Sequence, residues 1–232
     1  MGVEGGHFVW EPVHSLLDGY IPPLLVISTA LLLIAIRWLY NKNHQCCAAI
    51  RADIAIVIAL VSFAGFLEFE MGRTPTYKYG PIRLWSGDVH SNQNSQQIAD
   101  PYIFTHFTHG AVLYGLTRVA LGPRALGLRA IVTVTAEAAW EVLENTDMVI
   151  NRYRATTISL DYYGDSIINS VSDILACLLG FVLAWCLPVR ATIIWNILVE
   201  VILAFWIRDN LTLNIIMLVY PVKAIEIWQL GK

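Results

Sequence analysis

Six apolar stretches of near-membrane length dominate the 232-residue sequence, at about 21–39, 54–68, 102–121, 126–143, 167–187 and 191–207. A helix needs roughly 20 apolar residues to cross a hydrocarbon core of about 30 Å, and backbone polar groups leave only helices or closed barrels as spanning structures. Runs this long read as helices, since a barrel strand needs only about 9–11 residues. Composition agrees: 56% of residues are hydrophobic and 14% charged, against about a quarter charged in soluble domains. The expected fold is an all-α polytopic transmembrane helix bundle of about six spans plus an amphipathic C-terminal segment. It forms one integral membrane domain over 1–232, with an extramembrane loop at 70–100 and an interfacial tail at 211–232. The tail is shorter than the other runs and is interrupted by Pro221.

Lysine and arginine near span ends set orientation. None precedes the first run, whereas Arg37, Lys42 and Arg51 follow it. This places the N-terminus outside. Arg73, Lys78 and Arg83 in the second loop pull the other way. The N-terminal stretch has no basic start and carries Glu4, Glu11 and Asp18, unlike a secretory signal. Four cysteines, two adjacent (Cys46, Cys47) and two in an apolar run (Cys177, Cys186), make no disulfide framework and no zinc-finger spacing. A net charge of −3 gives no reason to expect a nucleic-acid partner.

Polar residues inside the apolar runs are the informative exceptions. Glu137, Glu141 and Glu144 are spaced four and three apart, and Asp165, Asn169 and Asp173 four apart, so each set shares a helix face. His106 and His109 share a face of the third run. At 1.5 Å per residue, His106 and Glu141 lie roughly 9 Å below the outer boundary, Asp173 and His109 roughly 12–13 Å, Glu137 roughly 15 Å and Asn169 roughly 6 Å. Glu200 falls near mid-membrane. A charge at the centre of a lone spanning helix costs about 2.5–3.5 kcal/mol, so these groups must face one another or a wet cavity.

Three readings of such a cluster are open: a network that fixes helix pairing, a catalytic or metal site, and a binding or conduction site. In the catalytic reading His106 and His109 are metal ligands or bases. Glu141, Asp173 and Glu137 are ligands or acid–base groups. Histidine with carboxylate suits a divalent metal, zinc or iron. Arg152, Arg154, Arg208 and Asn169 are the candidate substrate contacts, because guanidinium forks suit phosphate or carboxylate. The expected partners are membrane lipids, a lipid-linked substrate or a membrane complex.

Several long segments carry a resemblance: GRTPTYKYGPIRLWSGDVHSNQNSQQIADPYIFTHFTHG, WEVLEN, RYRATTISLDYYGDSIINSVSD and IRDNLTLNIIMLVYP with the later Trp228-Gln229. Over residues 54–229 they resemble the multi-pass inner-membrane family called domain of unknown function 2585, typical of alphaproteobacteria. The resemblance implies the bacterial inner membrane and brings no activity with it. The family pattern often has Cys-x-Cys where this chain has Tyr77-Lys78-Tyr79, which speaks against a metal or redox role for that loop. The second half is also loosely similar to VanZ-like membrane proteins.

The reading that results is an inner-membrane protein with a polar His/Glu/Asp site in the outer half of the bundle, a hydrolase or transferase acting on a lipid or envelope precursor. The alternatives are a non-catalytic accessory or assembly subunit and a small-solute transporter.

Overall fold

In the computed structural model, residues 14–41, 46–156 and 162–231 are described, and every regular element among them is helical. In chain order these are α1 (His14–Asn41), α2 (Cys46–Glu70), α3 (Ile103–Leu121), α4 (Leu126–Glu144), α5 (Asp147–Thr156), α6 (Ile167–Cys186), α7 (Val189–Trp206), α8 (Leu211–Val219) and α9 (Lys223–Gln229). The N-terminal acids Glu4 and Glu11 lie outside the described residues, as do the side chains of Cys46 and Cys47.

Helix ends follow local chemistry. Gly122 terminates α3 at φ 78°, in the left-handed region that costs a glycine nothing. The Ser166 hydroxyl caps α6 by accepting from Asn169 N–H. The Asn210 side chain caps α8 by accepting from Leu213 N–H at 2.8 Å. Pro188, extended at ψ 143°, separates α6 from α7. In α1 the structure differs from the sequence reading. The apolar run starts at about 21, but helix is already described from His14, so Pro22 and Pro23 sit at least two turns inside it and each removes one ladder donor.

Among the described residues, four helical segments are long and apolar enough to cross a membrane: Gly19–Leu39, Ala49–Glu70, Ile167–Cys186 and Val189–Trp206. Two of the six expected spans, on α3 and α4, are absent from that set although each helix has 19 residues. The reason is their polar content: His106, Thr108, Arg129, Thr133, Glu137 and Glu141 are all buried and lower the mean hydropathy of the two helices. On α1, α2 and α7, by contrast, Leu31, Leu32, Ile58, Ile194, Ile202 and Phe205 point outward.

α4 is the central helix. Val134, Ala138 and Val142 pack with Val26 and Ala30 of α1, Leu60 and Ala64 of α2 and Ile174 of α6 in the main apolar core. The most extensive helix pairing is α3 against α6. It depends on two glycines. A Cβ on Gly110 would lie 1.8 Å from Cys177 O, and one on Gly180 would lie 2.0 Å from Phe107 O. The two backbones touch at both points, as small residues permit.

The loop between α2 and α3 is anchored. Ile167 N–H donates to Thr74 O at 2.9 Å and Ser166 N–H to Ser95 O at 2.9 Å, so the loop satisfies orphan donors at the start of α6. Gln96 and Gln97 are buried in it, and Gln96 Nε2 donates to Gly164 O at 2.7 Å. This long segment is therefore a fixed cap on the bundle end. Trp85 stacks on Trp206 of α7, ring centroids 6.1 Å apart.

Candidate functional site

A cavity of about 160 Å³ opens where the loop, α3, α4, α6 and α8 meet. His106, His109, Glu144, Asp165 and Asp173 line it, with Tyr153 and Tyr162 along one side. Two of these arise from the face spacing already noted. His106 and His109 are one turn apart on α3, and their rings meet edge to face at 5.2 Å. Glu137, Glu141 and Glu144 descend one face of α4.

The contacts are close. Glu137 Oε1 lies 2.7 Å from His106 Nδ1 and 3.0 Å from His109 Nδ1. An ionised carboxylate only accepts, so both Nδ1 atoms donate to it. His106 Nε2 in turn lies 3.9 Å from Asp173 Oδ2. Glu141 Oε1 is 3.1 Å from His106 Nδ1. That N–H is directed at the nearer Glu137, and both Glu141 oxygens are left without a hydrogen bond in a fully buried residue. Asp173 Oδ1 is likewise unpartnered.

Among the described residues, two groups have donor atoms near enough to share an ion. One is His106, His109 and Glu137; the other is Glu141, Glu144 and Asp165. In each group the ligand atoms all lie within 4.8 Å of one another.

Sequence spacing missed the shell around these groups. Asn145, fully buried, shares its two Nδ2 protons among Glu141 O, Asp165 Oδ2 and Ser170 Oγ, all within 3.1–3.2 Å, and accepts at Oδ1 from Asp165 N–H at 2.7 Å. Tyr162 O–H donates to Asp165 Oδ1 at 2.9 Å. Burial pushes the Asp165 carboxyl up to about 6 and raises the phenols of Tyr153 and Tyr162. Asp100 closes the wall beside His106. It accepts from Ser95 N–H and Tyr102 N–H, both at 2.8 Å, and burial raises its carboxyl too. Ser95 holds φ 59°, a strained value for a non-glycine residue at the cavity edge. The signal that could have found Asn145 was its place directly after Glu144, in the turn that ends α4.

The candidate substrate contacts lie elsewhere. Arg152 Nε donates to Leu218 O at 2.9 Å, Arg154 Nε donates to Tyr162 O, and Arg208 Nη1 donates to Trp228 O at 3.0 Å. Each binds a backbone carbonyl, and among the described residues no arginine lines the cavity; Tyr153, between the first two, does. Asn169 is buried beneath the wall, its Nδ2 without a partner.

Glu200 does not join the site. Its carboxylate accepts from Leu211 N–H, Thr212 N–H and the Thr212 hydroxyl, at 3.2, 3.0 and 2.6 Å. The depth arithmetic placed it with the other acids, but the chain turns back after α7 and the start of α8 takes up its charge. Asp209 beside it binds α8 and α9 to the α3 end. It accepts from Tyr102 O–H at 3.1 Å, Asn214 Nδ2 at 3.5 Å and Gln229 Nε2 at 3.1 Å.

Comparison with known proteins matches residues 68–231 to the family described as "Protein of unknown function (DUF2585)". A UPF0314 protein of Sinorhizobium fredii is 49% identical over 174 residues, which cover 75% of this chain and 88% of that protein. One from Rhizobium etli is 41% identical over 192 residues, 83% of this chain and 96% of the relative. One from Sphingopyxis alaskensis is 44% identical over 181 residues, 78% and 96%. No solved structure matches, and the similarity of the second half to VanZ-like proteins gains no support from these matches.

Proposed function

We propose, for a chain that belongs to the DUF2585 family of alphaproteobacterial proteins, that it is a metal-dependent enzyme of the bacterial inner membrane acting on lipid or lipid-linked headgroups. The observation that carries this reading is the convergence of His106, His109 and Glu137 beside a cavity that Asp173 also lines. Support for the membrane comes from the four long apolar helices and their outward Leu, Ile and Phe side chains. In this reading α3 and α4 also cross, since 19 residues span about 28 Å and their polar side chains turn inward. The N-terminus lies outside and the cavity occupies the outer half of the bundle.

His106, His109 and Glu137 would hold a zinc or iron ion. Two imidazoles and a carboxylate leave open positions for water or substrate. A bound ion there would act as a Lewis acid on a carbonyl or phosphoryl oxygen. The chain's own groups do the rest. Asp173, which lines the cavity and has one unpartnered oxygen, would take or give the proton. Tyr162 orients the Asp165 carboxylate through its O–H, and Tyr153 ties α5 to Asn214 of α8 along the cavity side.

The test is lipid mass spectrometry on protein reconstituted in phosphatidylethanolamine and phosphatidylglycerol vesicles with added zinc or ferrous iron. A headgroup-altered product is expected with the native chain and absent with Asp173→Asn. A native chain that carries stoichiometric metal yet changes no lipid overturns the enzymatic reading. A second reading has its own observation: Glu137 already bonds both imidazoles, as a network that only fixes helix pairing would. In that case His109→Ala complements a deletion strain fully.

A further inference from the structure

The strongest unassigned feature is the second acidic group. Glu141 and Glu144 lie one turn apart on α4, and Asp165 reaches them from the segment before α6. Three clustered acids alone would prove little, since solvated clusters are common. This one differs in two respects. Glu141 is fully buried, and neither of its oxygens has a hydrogen bond. Asp173, outside the cluster but lining the same cavity, also holds an unpartnered oxygen while 5% exposed. A buried ionised carboxylate without donors or a cation is strongly disfavoured, because desolvation costs several kcal/mol per ion.

The neighbouring side chains position the acids without using them up. Tyr162 O–H and Asn145 Nδ2 each donate once to Asp165, one to each oxygen, so both oxygens retain a lone pair. Asn145 also ties that carboxylate to the Glu141 carbonyl and to Ser170 of α6. Such outer hydrogen bonds orient the ligands of metal centres. The group adjoins the first one through a single ring, because His106 Nδ1 lies 2.7 Å from Glu137 and 3.1 Å from Glu141. Glu144 and Asp165 open into the cavity that His106 and His109 line.

We propose that Glu141, Glu144 and Asp165 bind a second divalent cation next to the one at His106, His109 and Glu137, so that the centre holds two metals. The inference rests on the metal reading of the first group. Three carboxylates are hard oxygen donors, so the second position suits manganese, magnesium or ferrous iron, whereas the histidine-rich first position also accepts zinc. Paired ions bridged by one wall of a cavity suit substrates that present two oxygens, such as a phosphate ester.

Manganese alone is the probe. The full chain in detergent micelles is stripped with chelator, loaded with Mn²⁺, desalted and assayed for bound metal by mass spectrometry and low-temperature electron paramagnetic resonance. The expected result is two ions per chain with an exchange-coupled spectrum. Glu144→Gln and Asp165→Asn each reduce this to one ion with an uncoupled spectrum, and so does His109→Ala. Glu144 is only partly buried, so its variant keeps the test valid if Asp165→Asn fails to fold. One ion in the native chain, lost in His109→Ala but kept in Glu144→Gln, overturns the second position and leaves the first standing. One ion lost only in Glu144→Gln overturns the first position and with it the two-metal centre. No bound ion overturns both.

Discussion

Gly110→Ala offers the sharpest test of how α3 and α6 hold the site. The new methyl would stand 1.8 Å from Cys177 O and 2.8 Å from Phe181 N, both backbone atoms, against an ordinary contact of 3.4 Å or more. Neither atom can rotate away, so the helices must separate locally by about 1.5 Å. A gap of 0.5–1 Å already forfeits a quarter to a half of a van der Waals contact, and this pairing is the largest in the bundle. Overpacking of this kind costs about 1–3 kcal/mol, and backbone against backbone belongs at the upper end. Helix propensity returns up to about 1 kcal/mol to alanine. The expected net loss is about 2 kcal/mol. Gly115→Ala is the internal control, since its Cβ meets nothing within 4 Å in the same helix. It should be neutral or slightly stabilising. The assay is thermal unfolding in detergent, paired with metal retention, because Gly110 follows His109 directly and Cys177 lies one turn beyond Asp173. Equal midpoints for the two variants, with equal metal content, would refute the account of the α3–α6 contact.

Other outcomes follow from single contacts. Asn145→Ala removes two N–H donors and one accepted bond at a fully buried position, and should cost about 3 kcal/mol or more and lower manganese affinity; unchanged unfolding would contradict its bridging place. Asp209, buried, has its carboxyl raised by desolvation to about 6 from an ordinary 3.8. The folded state therefore binds the proton more tightly, and this contribution to stability is complete below about pH 4 and lost as pH rises through about 6, on the order of 3 kcal/mol. Asp209→Asn should flatten that part of the pH profile of tail proteolysis at 211–231; an identical slope in both proteins would count against it. Arg129 is buried with its guanidinium 4.3 Å from the Tyr114 ring centroid and 5.7 Å from that of Phe181. Arg129→Met should be milder than Arg129→Ala by about 1–2 kcal/mol, because the methionine stem keeps the packing that alanine loses; equal losses would show that charge alone matters.

The long apolar runs revealed the helices because a membrane-length helix leaves its mark in composition alone. Spacing of three and four put His106 with His109 and Glu137 with Glu141 and Glu144, and helical rise brought them to one depth. Those rules see one helix at a time. They could not show that Glu200, at a similar depth, turns to the start of α8, because that depends on how the chain reverses after α7. Asn145 and Tyr162 escaped for the same reason: they act through Asp165 and Ser170, whose approach depends on how the chain returns from α4 to α6. The arginines looked like headgroup contacts because charge is legible in sequence, whereas the carbonyls at Leu218, Tyr162 and Trp228 that receive them are not.

The cavity wall includes Leu211, Asn214 and Ile215, from a helix near the end of the chain. During synthesis, therefore, the histidines and acids of α3, α4 and α6 emerge well before the segment that finishes enclosing them. Until α8 docks through Asp209 and the Tyr153–Asn214 bond, the polar interior stays open on that side. A chain cut short after α7 would keep its four long apolar helices and leave its polar centre uncovered. On the membrane reading proposed above, loss of α8 and α9 should reduce abundance before it reduces insertion.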